Sequence, residues 1–586
     1  MLRILPLMAL GISVLFLTAY GAGIYPWTVC AVLFALSVAN LAVYAKPRST
    51  ALFQKRRLTL PALYAALLIF IAIVLMPLPL SLSRLTGSLR FEQNTCVAET
   101  LEEAKALGIE TPPLVTFSTS RSRAGTLRAL LLLATLFGAW KLAQQLDPAL
   151  RQLWLRGLIG LGSVVAVLGH LGKWVIPQGN TLWWAIPVPP VLPGPVGGFI
   201  NPNHFAGFVA LLAPVALAMG IADARQRRWG CMLTDIAGFT LMTVALLFSM
   251  SRGGVVAYVG GIGVLMLLVF LRSSKRVKAA LVATVAAILC GATLLAIQQE
   301  QVRERLLSLR SPTTAASLQE RIGAWKDAAG MLQCYPLLGV GPNAFYVTYP
   351  QHRTSSSRAA RDFAENEYVQ IMSETGVVGS TLLALFLFLL WQQSRRALSE
   401  AHDANGLHFA PACIGAVAAA TTHALVDFPL HLPLYAITAA TLAGCLWPQP
   451  GDPASTGTTR WPHGVAILIA ALVLSLGEAI RLDSPSVLGG AAAPQITRAM
   501  VWAPTSALAW RRLCAKLSMG SSKAEQQLGE RCLTQAAVYD PNNYPLWRRL
   551  GAVREALGDN RGANAAYRRV EALRDWIKLP VLPEED

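Results

Sequence analysis

Residues 198–278 read GFINPNHFAGFVALLAPVALAMGIADARQRRWGCMLTDIAGFTLMTVALLFSMSRGGVVAYVGGIGVLMLLVFLRSSKRVK. Three apolar runs stand in this stretch, near 200–222, 232–250 and 254–271. A helix that crosses a bilayer needs about 20 mostly apolar residues, and each run has roughly that length. The first two are separated by the basic turn Arg225-Gln226-Arg227-Arg228, the second and third only by Ser251-Arg252-Gly253-Gly254. Connections this short leave antiparallel helical hairpins as the one arrangement, because backbone in lipid must satisfy its own hydrogen bonds.

The same pattern extends in both directions. Further apolar runs lie near 4–21, 25–45, 60–80, 126–143, 156–176, 279–297, 376–392, 409–428, 432–448 and 463–480, thirteen in all. Composition agrees: of 586 residues 54% are hydrophobic and 14% charged, with a mean hydropathy of +0.47. A soluble domain carries about 25% charge, so a soluble enzyme, a disordered chain and a secreted disulfide scaffold are excluded. The expectation is an all-α polytopic membrane bundle with a smaller soluble domain behind it. Arg3 before the first run raises the alternative of a signal peptide. Ala19–Ala22 is a poor cleavage site and a second run follows directly, which favours an uncleaved helix.

The net charge of +18 would suggest nucleic acid in a soluble chain; here it collects in loops. Lys46, Arg48, Lys55, Arg56 and Arg57 follow the second run, Arg225, Arg227 and Arg228 the sixth, Arg272, Lys275, Arg276 and Lys278 the eighth, and Arg395 and Arg396 the tenth. All follow even-numbered runs, so the positive-inside rule makes those loops and the N-terminus cytoplasmic. The segment 81–125, the long loop 298–375 and everything after Leu482 then fall on the opposite face. Within 81–125, Leu101–Leu107 reads as a short amphipathic helix. The expected division is a membrane domain over 1–481 and a soluble helical domain over 482–586.

That last segment carries a weak repeat. Ala503-Pro504 with Trp510 and Leu513 is echoed by Asp540-Pro541 with Trp547, Leu550 and Gly551, followed by Ala563 and Tyr567. The 37-residue offset between the two tryptophans is close to the ~34 of a tetratricopeptide unit. An ordinary pair of helical hairpins is the plainer alternative. Two units are few for such a stack, so it is expected to lean on the membrane domain or on a protein partner. Nine cysteines (30, 96, 231, 290, 334, 413, 445, 514 and 532) show no metal-ligand spacing, and no metal is assigned. Cys514 and Cys532, on the oxidising face, are a candidate disulfide.

Polar groups are costly beside lipid and therefore informative. Asn201, Asn203 and His204 stand at the outer mouth of the sixth run, Arg252 in the turn after the seventh, and His423, Asp427 and His431 at the outer end of the eleventh. The long outer loop adds Arg321, Trp325, Lys326, the turn Gly339–Asn343, and Glu365-Asn366-Glu367-Tyr368. Each has a bland reading: an outer arginine as interfacial anchor, the histidines as packing residues, the acidic cluster as a solvated face. Their shared side of the membrane tips the balance towards a site. Arginines with two or three carboxylates suit an anionic substrate and a base. Glycine-rich nucleotide loops and zinc signatures are absent from the sequence, and no cofactor is expected.

These residues resemble the O-antigen ligase and polymerase superfamily, which includes Wzy-type polysaccharide polymerases, lipopolysaccharide O-antigen ligases and pilin-type O-oligosaccharyltransferases. The resemblance spans Gly198 to about Asp427 and rests on GFINPNHFAGF, FSMSRGG, RIGAWKDA followed by PLLGVGPNAF, ENEYVQIMSETGVVG, and HALVDFPLHLP. It implies a metal-independent, inverting, GT-C-like glycosyltransferase of the bacterial inner membrane, working at the periplasmic face. The implied donor is a glycan on undecaprenyl diphosphate, and the acceptor a second lipid-linked glycan, a lipid or a protein. By the same resemblance Arg252 and Arg321 match arginines that contact the diphosphate or sugar, and His423 and Asp427 match polar positions of the late helix.

One departure stands out. Many ligases and oligosaccharyltransferases read His-Asn-x-Tyr where this chain has Glu365-Asn366-Glu367-Tyr368, so the histidine is a glutamate. This tilts the reading towards the polymerase branch. Catalytic roles are expected of Glu365, Arg252, Arg321, His423 and Asp427, and substrate contacts of Asn201, Asn203, His204, Asn366, Tyr368 and Trp325. Glu365, or failing it Asp427 with His423, would take the acceptor proton. Two other functional classes are open to the sequence. A lipid-linked sugar transporter would need charges deep in the spans, where the sequence offers little beyond His170, Lys173 and Asp235. A non-catalytic scaffold would tolerate loss of Arg252.

Overall fold

The computed structural model describes residues 4–19, 26–44, 60–113, 115–175, 181–182, 186–187, 198–272, 275–297, 312–354, 361–400, 409–447, 492–517 and 522–577. Apolar helices form at twelve of the thirteen expected positions: α1 (Leu5–Ala19), α2 (Pro26–Tyr44), α3 (Leu60–Leu75), α5 (Arg123–Gln144), α6 (Pro148–Val175), α7 (Pro202–Arg225), α8 (Trp229–Phe248), α9 (Arg252–Arg272), α10 (Lys275–Ile297), α13 (Glu367–Glu400), α14 (Phe409–His423) and α15 (Pro433–Cys445). The run at 463–480 lies outside the described residues. Among the described residues six helices are long and apolar enough to cross a membrane, namely α5 to α9 and α13; α1, α3, α14 and α15 are shorter apolar helices. Strand pairing among the described residues is confined to a two-residue ladder, Thr181–Leu182 with Ile186–Pro187, and one bridge between Leu78 and Phe117.

Helix α7 is the centre of the bundle. Its apolar window is 94% buried, against 28–44% for the other five long helices, so it faces protein on every side while they keep lipid-facing surfaces. Small residues allow this. A Cβ on Gly261 of α9 would stand 2.7 Å from Ala419 Cβ of α14, and one on Gly415 of α14 would stand 2.9 Å from Pro214 of α7. Three backbones thus approach closely through Gly, Ala and Pro, where van der Waals contact replaces the missing hydrophobic drive between helices in lipid.

Outside the bundle lie α4 (Ser88–Ala106), α11 (Pro312–Cys334) and α12 (Phe345–His352). Helix α4 runs 19 residues, longer than the Leu101–Leu107 stretch read as amphipathic, because the polar first turns also bury Arg90, Gln93 and Asn94. The C-terminal segment forms α16 (Ala493–Trp502), α17 (Ala507–Leu517), α18 (Lys523–Tyr539), α19 (Tyr544–Ala556) and α20 (Asn560–Ile577). Its two tryptophans make the same contact. Trp510 Nε1 donates to Pro504 O at 2.9 Å and Trp547 Nε1 to Pro541 O at 2.9 Å. Cys514 and Cys532 are buried and form no disulfide.

This domain does not stand alone. Val97, Leu101 and Ala104 of α4 share one core with Trp510, Leu513 and Leu533, and an ion pair joins Arg531 to Glu103. Asn542 Nδ2 donates to Arg353 O at 2.7 Å, just past α12. Helix α4, the chain just past α12 and the C-terminal helices therefore pack together.

Candidate functional site

The site is assembled where the ends of several helices converge. Asn201 opens α7: its Oδ1 accepts from Asn203 N at 2.9 Å, an N-cap that leaves His204 in the first turn. Ser251 opens α9 by accepting from Gly254 N at 3.1 Å, and Arg252 is its first, exposed residue. The preceding Met250 has φ of 56°, the left-handed turn that reverses the chain between α8 and α9. Helix α14 ends at His423, and the following turn carries Val426, Asp427 and, after Pro429, His431.

Glycines set these ends against one another. A Cβ on Gly207 of α7 would lie 2.1 Å from His423 Cε1, and one on Gly253 would lie 3.2 Å from Val426 and 3.7 Å from His423 Nε2. The Cε1–Nδ1 edge of the His423 ring therefore lies against Gly207 of α7, next to the start of α9. From that position its Nε2 stands 3.5 Å from Asp427 Oδ2, while His204 Nε2 stands 3.6 Å from Asp427 Oδ1. One carboxylate is flanked by two imidazoles. Phe428 completes this wall, edge-on to His204 at 5.0 Å and stacked on Phe363 at 4.1 Å.

The opposite wall comes from α11 and the start of α13. Arg321 donates to Val426 O, so α11 is tied to the same turn that carries Asp427. Its Nε also meets Glu365 Oε2 at 2.9 Å, and Arg361 NH1 meets Glu365 Oε1 at 3.0 Å. Both oxygens of Glu365 are thus held by guanidinium groups. Glu365 has φ of 51°, a left-handed conformation uncommon outside glycine, which the two ion pairs offset. Asn366 caps α13, accepting from Tyr368 N at 3.1 Å and Val369 N at 3.2 Å. Tyr368 donates its hydroxyl proton to Thr421 O at 2.9 Å, and Trp325 Nε1 donates to Ala364 O at 3.0 Å. Asn366, Tyr368 and Trp325 are engaged with backbone, and their side chains shape the wall. Lys326 is exposed.

Two buried glutamates, neither among the expected site residues, bind this wall together. Glu367 is 3.1 Å from His431 Nδ1. Burial alone would favour the neutral ring, but Glu367, and Glu374 behind it, outweigh burial and raise the His431 pKa above its ordinary 6.5. Glu374 accepts from Asn343 N at 2.7 Å and Phe345 N at 3.2 Å. It holds the turn whose Gly339, Gly341 and Asn343 all have positive φ. A Gly-x-Gly-Pro-Asn string announces such a turn, yet the carboxylate that receives it lies 31 residues on. Within α13, Gly376 (φ 62°, ψ −159°) breaks the helix, separating the wall from the apolar length that follows.

The arrangement offers cations for an anion and a carboxylate flanked by imidazoles for a proton. Among the described residues no group of three or more His, Cys, Asp or Glu side chains is placed to hold a metal ion. Residues 237–384, about a quarter of the chain, match the family model Wzy_C, described as O-Antigen ligase. The match includes Arg252, Arg321 and Glu365–Tyr368 and leaves His204, His423 and Asp427 outside it. No curated protein matches the chain.

Proposed function

We propose, from the match of residues 237–384 to the O-Antigen ligase family model and from the six membrane-length helices among the described residues, that the chain is a multi-pass membrane protein of the O-antigen ligase/polymerase superfamily and a Wzy-type polymerase of undecaprenyl-diphosphate-linked glycan. The observation that carries the reading is the meeting, at one turn, of Arg321 on Val426 O with Asp427 between His204 and His423. Arg252 starts the helix packed against that turn. The acceptor hydroxyl attacks the anomeric carbon of the donor sugar from the side opposite the diphosphate, and the configuration inverts. Arg252 and Arg321 offset the charge that grows on the leaving diphosphate, help that is already in place before reaction. No metal takes part in this scheme. Glu365, with both oxygens in ion pairs, organises Arg321 and Arg361 rather than accepting a proton. That duty passes to Asp427 and its histidines.

The thirteen-span topology, with the N-terminus cytoplasmic and the site and C-terminal domain periplasmic in the inner membrane, belongs to the same proposal. So does the tetratricopeptide-like character of the C-terminal domain, supported by the repeated Trp-to-Pro carbonyl bond. Its exposed face would receive glycan or a protein partner. A transporter is less well supported. Asp235, the acidic group expected inside a span, lies 3.9 Å from Arg156, which also meets Asp223 at 2.5 Å, a pairing suited to packing.

The test is the size distribution of lipid-linked glycan in a deletion strain. Single repeat units alone would support the polymerase. Long chains that accumulate on the carrier without reaching a final acceptor would make the protein a ligase or oligosaccharyltransferase.

A further inference from the structure

Resting on the transfer reading above, we propose that His204 is the general base that touches the acceptor hydroxyl, with Asp427 as the residue that orients it. Glu365 stands where the resemblance expects a histidine, and it is held by Arg321 at 2.9 Å and Arg361 at 3.0 Å. The remaining candidates are the three groups around Asp427, and they differ in access. His423 is 0% exposed and lies on Gly207, Asp427 is 6% exposed, and His204, at 11%, is the outermost. Asp427 Oδ1 faces His204 Nε2. A neutral ring with its proton on Nε2, towards the carboxylate, keeps the lone pair of Nδ1 for a substrate. A base oriented by a third group is the general logic of activated nucleophiles. The 3.6 Å separation is open, and such contacts tighten when substrate binds.

In the step, the acceptor hydroxyl proton passes to His204 Nδ1 as the hydroxyl oxygen bonds to the anomeric carbon. The bond from that carbon to the diphosphate oxygen breaks, and its electron pair leaves on the diphosphate. The imidazolium, stabilised by Asp427, then returns its proton to water. Asp427 from the turn faces this ring at 3.6 Å, and His423 on α14 meets the other oxygen of the same carboxylate at 3.5 Å; Arg321 of α11 is tied to the adjoining Val426 O.

The test uses the full-length protein in nanodiscs, with lipid-linked oligosaccharide extracted from the deletion strain as substrate. Chain elongation is followed across pH in wild type, His204→Gln, Asp427→Asn and Glu365→Gln. His204→Gln should lower kcat by about 100-fold or more, change acceptor KM far less, and lose the acidic limb of the pH–rate profile. Asp427→Asn should also lower kcat, with acceptor KM changed far less, because the base loses the group that orients it. Glu365→Gln should keep the limb. A His204→Gln enzyme with near wild-type kcat, or one that retains the limb, overturns the proposal. If that variant does not fold, a wild-type kcat in Asp427→Asn overturns it equally. Absence of elongation by wild type would instead overturn the transfer reading.

Discussion

At the residue scale the site depends on where charge is held. Arg252 begins a helix and has little of the backbone freedom of a loop residue. Arg252→Ala should reduce glycan transfer by about 100-fold, the size expected for loss of one preorganised electrostatic contact, with unchanged expression and membrane insertion. Wild-type transfer by that variant would remove Arg252 from the site. The Glu367–His431 pair makes a separate prediction. The raised pKa of His431 means that the pair contributes its full stability below about pH 6.5. The contribution disappears as pH rises through the raised folded value. Glu367→Gln, which strands a buried partner, should cost about 3 kcal/mol in mildly acid buffer. Its deficit in thermal unfolding against wild type should shrink from about pH 6 to about pH 9. A deficit that grows with pH would contradict the pairing.

At the scale of elements, glycines decide which helices meet. Alanine is favoured over glycine in a helix by about 1 kcal/mol, so Gly207→Ala should strengthen α7 taken alone. Its Cβ would nevertheless land 2.1 Å from the His423 ring. The expected outcome is a well-inserted protein whose transfer rate falls, measured as elongation per folded molecule; an unchanged rate would show that the ring relocates at no cost to the site. The helices themselves were legible in the sequence, because an apolar run of spanning length permits little else in lipid. Asn201, His204, Arg252, His423 and Asp427 were also legible, as polar residues beside apolar runs, and Arg321 and Glu365 through the motifs of the long loop. Their pairing was not. That Arg321 grips both Val426 O and Glu365, leaving Asp427 to His204, depends on how α11 lies across the α14–α15 turn, a contact 105 residues apart in the chain. The buried Glu374 was missed because the turn it holds offers it backbone amides about 30 residues away, which leave no side-chain pattern.

At the scale of the whole molecule, helix α4, the chain just past α12 and the C-terminal helices form one packed unit. Helix α4 presents Val97, Leu101 and Ala104 to the core of the C-terminal domain, while Arg121 N donates to Val340 O at 2.7 Å and so joins the segment after α4 to the site turn. Removal of residues 492–577 would uncover that apolar face of α4. The shortened protein should lose monodispersity on size-exclusion chromatography in detergent; an unaffected profile would show that the domain is an independent appendage. The 37-residue repeat was visible in the sequence, and its dependence on α4 was not, because the two core halves lie some 400 positions apart along the chain.

The most direct measurement is elongation of purified lipid-linked oligosaccharide by the reconstituted protein, with wild type and Arg252→Ala run side by side and released undecaprenyl diphosphate quantified. Glycan transfer at an arginine-lined outer site predicts longer chains and one diphosphate released per unit added by wild type, both lost in the variant. Wild-type chains no longer than those in protein-free vesicles, or elongation that is indifferent to Arg252, would contradict it.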